Sequence, residues 1–244
     1  MRWLKQNKFP FLLFAVAWLV RLIPVLLTRS LGIALDDMFQ YDMLARSLVS
    51  GNGFRWYALP DLELIRKFVP LDLGSLAYDR RGVLTSFRAP LYPLFLALIY
   101  GVFGMDEGRF FAARLVQSFL AAFLPLLTWL LGRHLFDEST ARGAAWIVAF
   151  YPMLIAFPLA LATENLFFLL VLLSILLLVR LSRRPSWSGA VLLGLSFGLA
   201  ALTRSVILGM AGAALLWLVI ERKLHRHALL AAFTLFLLII PWVV

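Results

Sequence analysis

An all-α, polytopic transmembrane bundle is the fold class this sequence predicts, and three observations predict it. First, 63% of the 244 residues are hydrophobic and only 15% are charged, against roughly 25% charged in an ordinary soluble domain. Second, apolar runs long enough to match the hydrocarbon thickness, about 20 residues each, recur almost to the last residue. Third, these runs are continuous in Leu, Ala, Val and Phe rather than alternating. Lipid offers backbone groups no water, so such runs must close their hydrogen bonds within a helix, whereas barrel strands would alternate.

The candidate spans in chain order are 9–28, 89–104, 109–131, 142–158, 163–181, 188–203, 205–220 and 228–244. The run 9–28 is longer than a signal-peptide core and has no small-residue cleavage site behind it, so it reads as an uncleaved anchor. The net charge of +10 would point to nucleic acid in a soluble protein, but here the cations cluster at helix ends and no nucleic-acid partner is expected. Arg2, Lys5 and Lys8 precede the first span, Arg180, Arg183 and Arg184 follow the fifth, and Arg222, Lys223 and Arg226 follow the seventh. All three clusters read as cytoplasmic by the positive-inside rule. Eight full crossings from a cytoplasmic N-terminus would put the turns at Glu164 and Arg204 on the wrong side for that rule. One short segment, of the two at 89–104 and 142–158, is therefore re-entrant, misjudged or split, and 89–104, opening on Pro90 and Pro93, is the first suspect. The expected location is a bacterial inner or plasma membrane.

The loop 29–88 is the only polar stretch long enough to build a site, and its near balance of acids and bases does not oppose an extracytoplasmic position. Within it, 34–49 has helical spacing, with Leu35, Phe39, Leu44 and Leu48 on one stripe and Asp42 placed to pair with Arg46 at i,i+4. This predicts an amphipathic helix on the membrane surface, ended by Gly51 and Gly53. The chain shows no internal repeat and reads as one domain over 1–244. It stops at Pro241-Trp242-Val243-Val244, still inside an apolar run, which reads as lacking a C-terminal portion. The absence of cysteine excludes disulfides and thiolate metal sites. Ala190, Gly194 and Gly198 recur every fourth position and predict close helix packing.

The pair Asp36-Asp37 opens the surface helix. Acids in a first helical turn are stabilised by the macrodipole. Carboxylates at a membrane surface also serve as a general base toward a hydroxyl, or hold a divalent cation such as Mg or Mn. Tyr41 lies at i,i+4 from Asp37, on the same face, where it could orient the carboxylate. Four polar residues stand within or beside apolar runs: Arg21, Arg114, Gln117 and Glu164. Intramembrane charge is costly enough that a site role is a fair default, with a structural Arg21–Glu164 ion pair as the alternative. Arg88 and Arg204 are suited to a phosphate because a guanidinium binds it as a two-point fork.

The stretch from Asp36 to Arg46, followed by Gly51-Asn52-Gly53-Phe54, resembles the first extracytoplasmic loop of C-type (GT-C) membrane glycosyltransferases, the superfamily of protein O-mannosyltransferases and aminoarabinose transferases. Arg88-Ala89-Pro90-Leu91-Tyr92-Pro93 with Phe103-Gly104, then Ala113-Arg114-Leu115, then Gly198 through Arg204, resemble later segments of that family in the same order. The resemblance implies inverting transfer of a sugar from a polyprenyl-phosphate donor to an acceptor at the extracytoplasmic face. It matches Asp37 to the catalytic aspartate, with Asp36 an extra acid beside it. Tyr41, Arg88, Arg114, Glu164 and Arg204 are then the expected substrate-binding residues. In part of the family a lysine precedes the prolines, and here Arg88 stands one residue further away. The competing classes are a small transporter or lipid-binding scaffold, and a non-catalytic remnant of the same fold. A transporter predicts inverted repeats with broken helices, and none is visible. Neither a Walker A nor a Gly-rich dinucleotide turn is present, which fits a donor already mounted on lipid.

Overall fold

A computed structural model describes residues 8–67 and 78–243; Arg2, Lys5 and Asp72 lie outside the described residues. The chain is an all-α bundle, and the one sheet among the described residues is the two-residue antiparallel pairing of β1 (Arg55–Trp56) with β2 (Val83–Leu84). The helices are α1 Lys8–Leu27, α2 Asp37–Val49, α3 Leu59–Ile65, α4 Leu91–Phe103, α5 Arg109–Ala121, α6 Phe123–Leu135, α7 Glu138–Phe150, α8 Pro152–Ala156, α9 Glu164–Arg183, α10 Trp187–Ala201, α11 Ile207–Ile220 and α12 His225–Val243. Among the described residues four stretches are long and apolar enough to cross a bilayer: α1, the continuous α5–α6 segment Arg109–Leu135, α9 and α12. A fifth arises if α7 and the Pro152–Leu159 segment, bent by 53°, form one span.

The short segments differ in what they do. Helix α4 has 13 residues, about 20 Å of rise against a hydrocarbon core of about 30 Å, and it runs alongside α2. Arg88, just before α4, pairs with Asp37 at the start of α2. The Tyr41 and Tyr92 rings meet edge-on at 5.0 Å, Tyr100 donates to Asp42 at 3.0 Å, and Arg109, just after α4, reaches Asp42 at 2.8 Å. Both flanks of α4 are therefore tied to α2, and α4 begins and ends at the same end of the bundle. Helices α10 and α11 are also short, with 15 and 14 residues, but they connect opposite ends. Trp187 at the start of α10 stacks on His227 of α12 at 4.8 Å. At the far end of α10, the Leu202 carbonyl accepts from Leu91 N at 2.9 Å, and Arg204 pairs with Glu164. With α4 out of the crossing order, the turns at Glu164 and Arg204 share one end. His134, Arg180, Arg183 and His227 share the other.

The helix expected at 34–49 starts at Asp37, because Asp36 takes the N-cap and accepts from Met38 N at 2.8 Å. Its surroundings also differ from expectation. Leu35 is exposed, while Phe39, Tyr41, Asp42, Met43, Leu44, Ala45 and Ser47 are buried. Helix α2 is thus embedded in protein on most sides rather than laid against lipid on one stripe. The predicted Asp42–Arg46 pair is present at 2.8 Å.

The stretch expected as one span over 142–158 is broken at Tyr151-Pro152, and this break explains Arg21. Proline has no N–H, so the carbonyl four residues earlier loses its helical donor. That carbonyl is Val148 O, and Arg21 supplies the missing donor at 3.1 Å, with further bonds to Ala149 O at 3.0 Å and Ala17 O at 2.9 Å. The expected Arg21–Glu164 ion pair is therefore not formed. Arg21 is fully buried against backbone carbonyls, and Glu164 is held by Arg204 instead.

The small-residue repeat of α10 meets α12 as the spacing predicts. A Cβ on Gly194 would collide with the Ala231 carbonyl and come within 2.8 Å of Thr234 Cβ, and one on Gly198 would come within 2.8 Å of Leu238 Cδ2. Gly212 of α11 has open space around the same atom. Two alanine substitutions should therefore move stability in opposite directions. In detergent, Gly194→Ala should lower the thermal midpoint, because the backbone of α12 must shift. Gly212→Ala should hold or raise it, since alanine is favoured over glycine in a helix by about 1 kcal/mol. Equal midpoints would show that α10 and α12 are not in close contact.

Candidate active site

Six of the seven residues singled out in the sequence converge on one cavity of about 610 Å³: Asp36, Asp37, Tyr41, Arg88, Glu164 and Arg204. Its walls come from four places far apart in the chain. They are the first turn of α2, the Phe87-Arg88-Ala89 approach to α4, the 160–164 segment before α9, and the 203–206 turn between α10 and α11.

Asp37 sits in the first turn of α2, where an acid is favoured by the helix dipole, and its side chain is 64% exposed. Arg88 grips it with both terminal nitrogens, Nη1 at 3.3 Å from Oδ2 and Nη2 on Oδ1. The same guanidinium donates from Nε to Gln40 Oε1 at 2.8 Å and lies over the Tyr41 ring at 5.3 Å. Tyr41 therefore supports Asp37 through Arg88, and the predicted direct orientation of the carboxylate by the phenol is replaced by this relay. Burial raises the Tyr41 phenol above its usual range, the nearby Arg88 charge opposing the shift only in part, so the hydroxyl is protonated at neutral pH. On the opposite wall Arg204 pairs with Glu164 and donates to Thr163 Oγ1 at 3.3 Å. The cavity thus holds two arginine–carboxylate pairs from different elements.

Asp36 uses one carboxylate oxygen as the N-cap of α2. Among the described residues no group of three or more His, Cys, Asp or Glu side chains is placed to hold a metal ion, and the Asp37 carboxylate already accepts from a guanidinium.

Arg114, expected at the site, is not in the cavity wall. It donates to Leu159 O at 2.7 Å, to Gly32 O at 2.7 Å and to Leu31 O. Gln117 holds the neighbouring carbonyls of Pro158 and Ala160, each at 3.1 Å, and accepts from Tyr92 OH at 2.6 Å. Both fix the non-helical turn that leads into the 160–164 wall. Sequence reasoning missed Gln40 and Thr163. Each stands beside a chosen residue, Gln40 at i+3 from Asp37 and Thr163 next to Glu164, but neither carries a charge that would single it out.

Beneath Asp37 lies a buried network of which the sequence showed only the Asp42–Arg46 pair. Asp42 is 1% exposed and accepts from Arg46, Arg109 and Tyr100, while Arg46 goes on to Asp61 at 2.6 Å. This ties α2 to α3, α4 and α5. Asp42→Ala would leave Arg109 without its buried carboxylate and Arg46 with Asp61 alone, and breaking a buried pair costs about 3–5 kcal/mol. Lower thermal stability together with faster proteolysis in the 50–67 segment is expected, and unchanged proteolysis would show that the network does not hold the loop.

An all-helical bundle with several span-length apolar helices and a charged cavity at one end defines a polytopic membrane protein. Residues 87–244 match the family described as dolichyl-phosphate-mannose-protein mannosyltransferase, and, with more than half of its length matched, the chain belongs to that family. It is accordingly of the GT-C type, a membrane glycosyltransferase class using a lipid-linked donor. No curated protein matches the chain. The matched region contains Arg88, Arg114, Glu164 and Arg204, and Asp36, Asp37 and Tyr41 lie before it.

Proposed function

We propose that the protein transfers a sugar, with inversion, from a polyprenyl-phosphate donor to an acceptor hydroxyl at the extracytoplasmic membrane face. Asp37 is the general base, and Arg88 and Arg204 receive the donor phosphate. The observation that carries this reading is the sharing of Arg88: its guanidinium lies on Asp37 and also lines the cavity. A phosphate oxygen is a competing acceptor for the same fork. Donor binding would draw Arg88 away from Asp37 and free the carboxylate to take a proton. The acceptor oxygen then attacks the anomeric carbon as its proton passes to Asp37. The bond from that carbon to the phosphate oxygen breaks, and the charge that stays on the phosphate is met by the two arginines. Thr163 and Glu164 aim Arg204, while Gln40 and Tyr41 aim Arg88.

This mechanism needs no metal step. Should a divalent cation bind, Asp36 and Asp37 are the two carboxylates on that wall, and chelation of Mg or Mn would then remove activity. Family membership favours transfer over the transporter and scaffold alternatives. A non-catalytic remnant would leave labelled polyprenyl-phosphate sugars unconsumed in membranes containing the wild-type protein.

Asp37→Asn should abolish transfer while donor binding survives, since the amide keeps the shape but cannot accept the proton. Asp36→Asn should only slow transfer, because asparagine caps a helix about as well as aspartate. Arg88→Ala and Arg204→Ala should each weaken donor binding by about 1.5–3 kcal/mol. Transfer at the wild-type rate by Asp37→Asn in correctly inserted protein would refute the base assignment.

The orientation has its own test in this cysteine-free chain. An impermeant maleimide applied to intact cells should label Ser50→Cys in the loop after α2 and spare Ser188→Cys at the other end of the bundle. Labelling in the reverse pattern would put the cavity on the cytoplasmic face.

A further inference from the structure

At the end of the bundle opposite the active site lies a second cavity of about 590 Å³, whose polar wall is formed by His134, Arg180, Arg183, Arg184, Ser186 and Ser188. Most arginines at the active-site end are paired with carboxylates: Arg46 with Asp42 and Asp61, Arg55 with Asp79, Arg88 with Asp37, Arg109 with Asp42 and Arg204 with Glu164. Arg180, Arg183 and Arg184 have no carboxylate partner among the described residues, and no acidic side chain lines the cavity. Arg183 donates to the His134 carbonyl, and Arg180 Nε approaches His134 Nε2 at 3.4 Å, so two of the three are gathered around α6. The N-terminal turn of α10 faces the same space through Ser186, Ser188 and Gly189, adding the positive end of a helix dipole. A Cβ on Gly189 would come within 2.8 Å of Ser186 Oγ and displace the oxygen that caps the turn by accepting from Gly189 N at 3.1 Å. The remaining wall is Leu177, Leu181 and Leu192, with Leu192 51% exposed on the outer surface of the bundle.

Three uncompensated guanidinium groups and a helix N-terminus therefore meet beside an apolar side wall at a helix end. Like charges gathered without a counter-ion call for an anion, and the leucine wall calls for an acyl chain. We infer that this cavity binds the phosphate headgroup of an anionic phospholipid, Arg180, Arg183 and Arg184 taking the phosphate and Leu177 and Leu192 flanking the chain. The site is separate from the donor cavity. It would anchor the α9–α10 turn in an anionic leaflet, as basic pockets between membrane helices do.

The test is a titration of the purified full-length protein in a zwitterionic detergent with short-chain phosphatidylglycerol, read by the fluorescence of the protein's tryptophans, of which Trp187 adjoins the cavity. Saturable binding is expected, with none from phosphatidylcholine of the same chain length. Arg180→Gln and Arg184→Gln should each weaken it about fivefold. Arg222→Gln, in the separate basic cluster before α12, should leave it unchanged. Ser188→Glu serves where an arginine variant fails to fold. An acid in a helix first turn favours the helix while filling the cavity with negative charge, so binding should be lost. Equal weakening by Arg222→Gln would reduce the effect to general surface attraction and overturn the site. The same response from inorganic phosphate alone would overturn the lipid assignment, as would binding retained in Ser188→Glu.

Discussion

The pairing of α4 with α2 sets the order of everything that follows it in the chain. Arg88 and Arg109 flank α4 and hold Asp37 and Asp42 of α2, so a helix of mean composition suitable for lipid is kept lengthwise against another helix instead of crossing. The α5–α6 span then begins from the same end as the polar loop, and the later spans alternate from there. The Glu164 and Arg204 turns are brought to Asp37 and Arg88 as a result, and the α9–α10 and α11–α12 turns, with their cations, fall together at the other end. A full crossing by α4 would place Glu164 and Arg204 at the end away from Asp37, and the cavity would not exist.

Buried arginines in the body of the bundle answer a backbone problem. Where the α7 helix breaks at Pro152 and a 3-10 turn follows over Phe157–Leu159, carbonyls lose their helical donors at a depth where water is scarce. An unpaired carbonyl there costs several kcal/mol. Arg21 closes the break from α1, and Arg114 and Gln117 close the turn from α5. The non-helical backbone that leads into one wall of the cavity is held by the donors from α5. Residues outside the cavity wall thereby hold the segment that carries Thr163 and Glu164.

The two ends of the molecule manage positive charge differently. At the cavity end most arginines are matched to carboxylates, which hold the guanidinium groups in place. At the opposite end the cations of α9 stand without acids, suited to a negatively charged leaflet. On the proposed function and the inferred lipid site, a single chain would use arginine as an exchangeable phosphate partner at one surface and as an anchor at the other.

The sequence by itself determined the class of fold, since apolar runs of span length admit only helices in lipid. It also marked the basic ends, the small-residue face of α10, and the six residues that came to line one cavity. Those are properties of composition, local period and motif. The tertiary structure decided what depends on partners distant in the chain. It decided that α2 is buried in protein rather than resting on lipid, because α3, α4 and α5 close around Asp42. It decided that Arg21 serves carbonyls and not Glu164, because Pro152 leaves those carbonyls without donors within its reach. It decided that Arg114 supports the site from outside and that Arg88, rather than Tyr41, holds Asp37. A charge in a sequence announces the need for a partner, but which partner it finds is settled by how the helices pack.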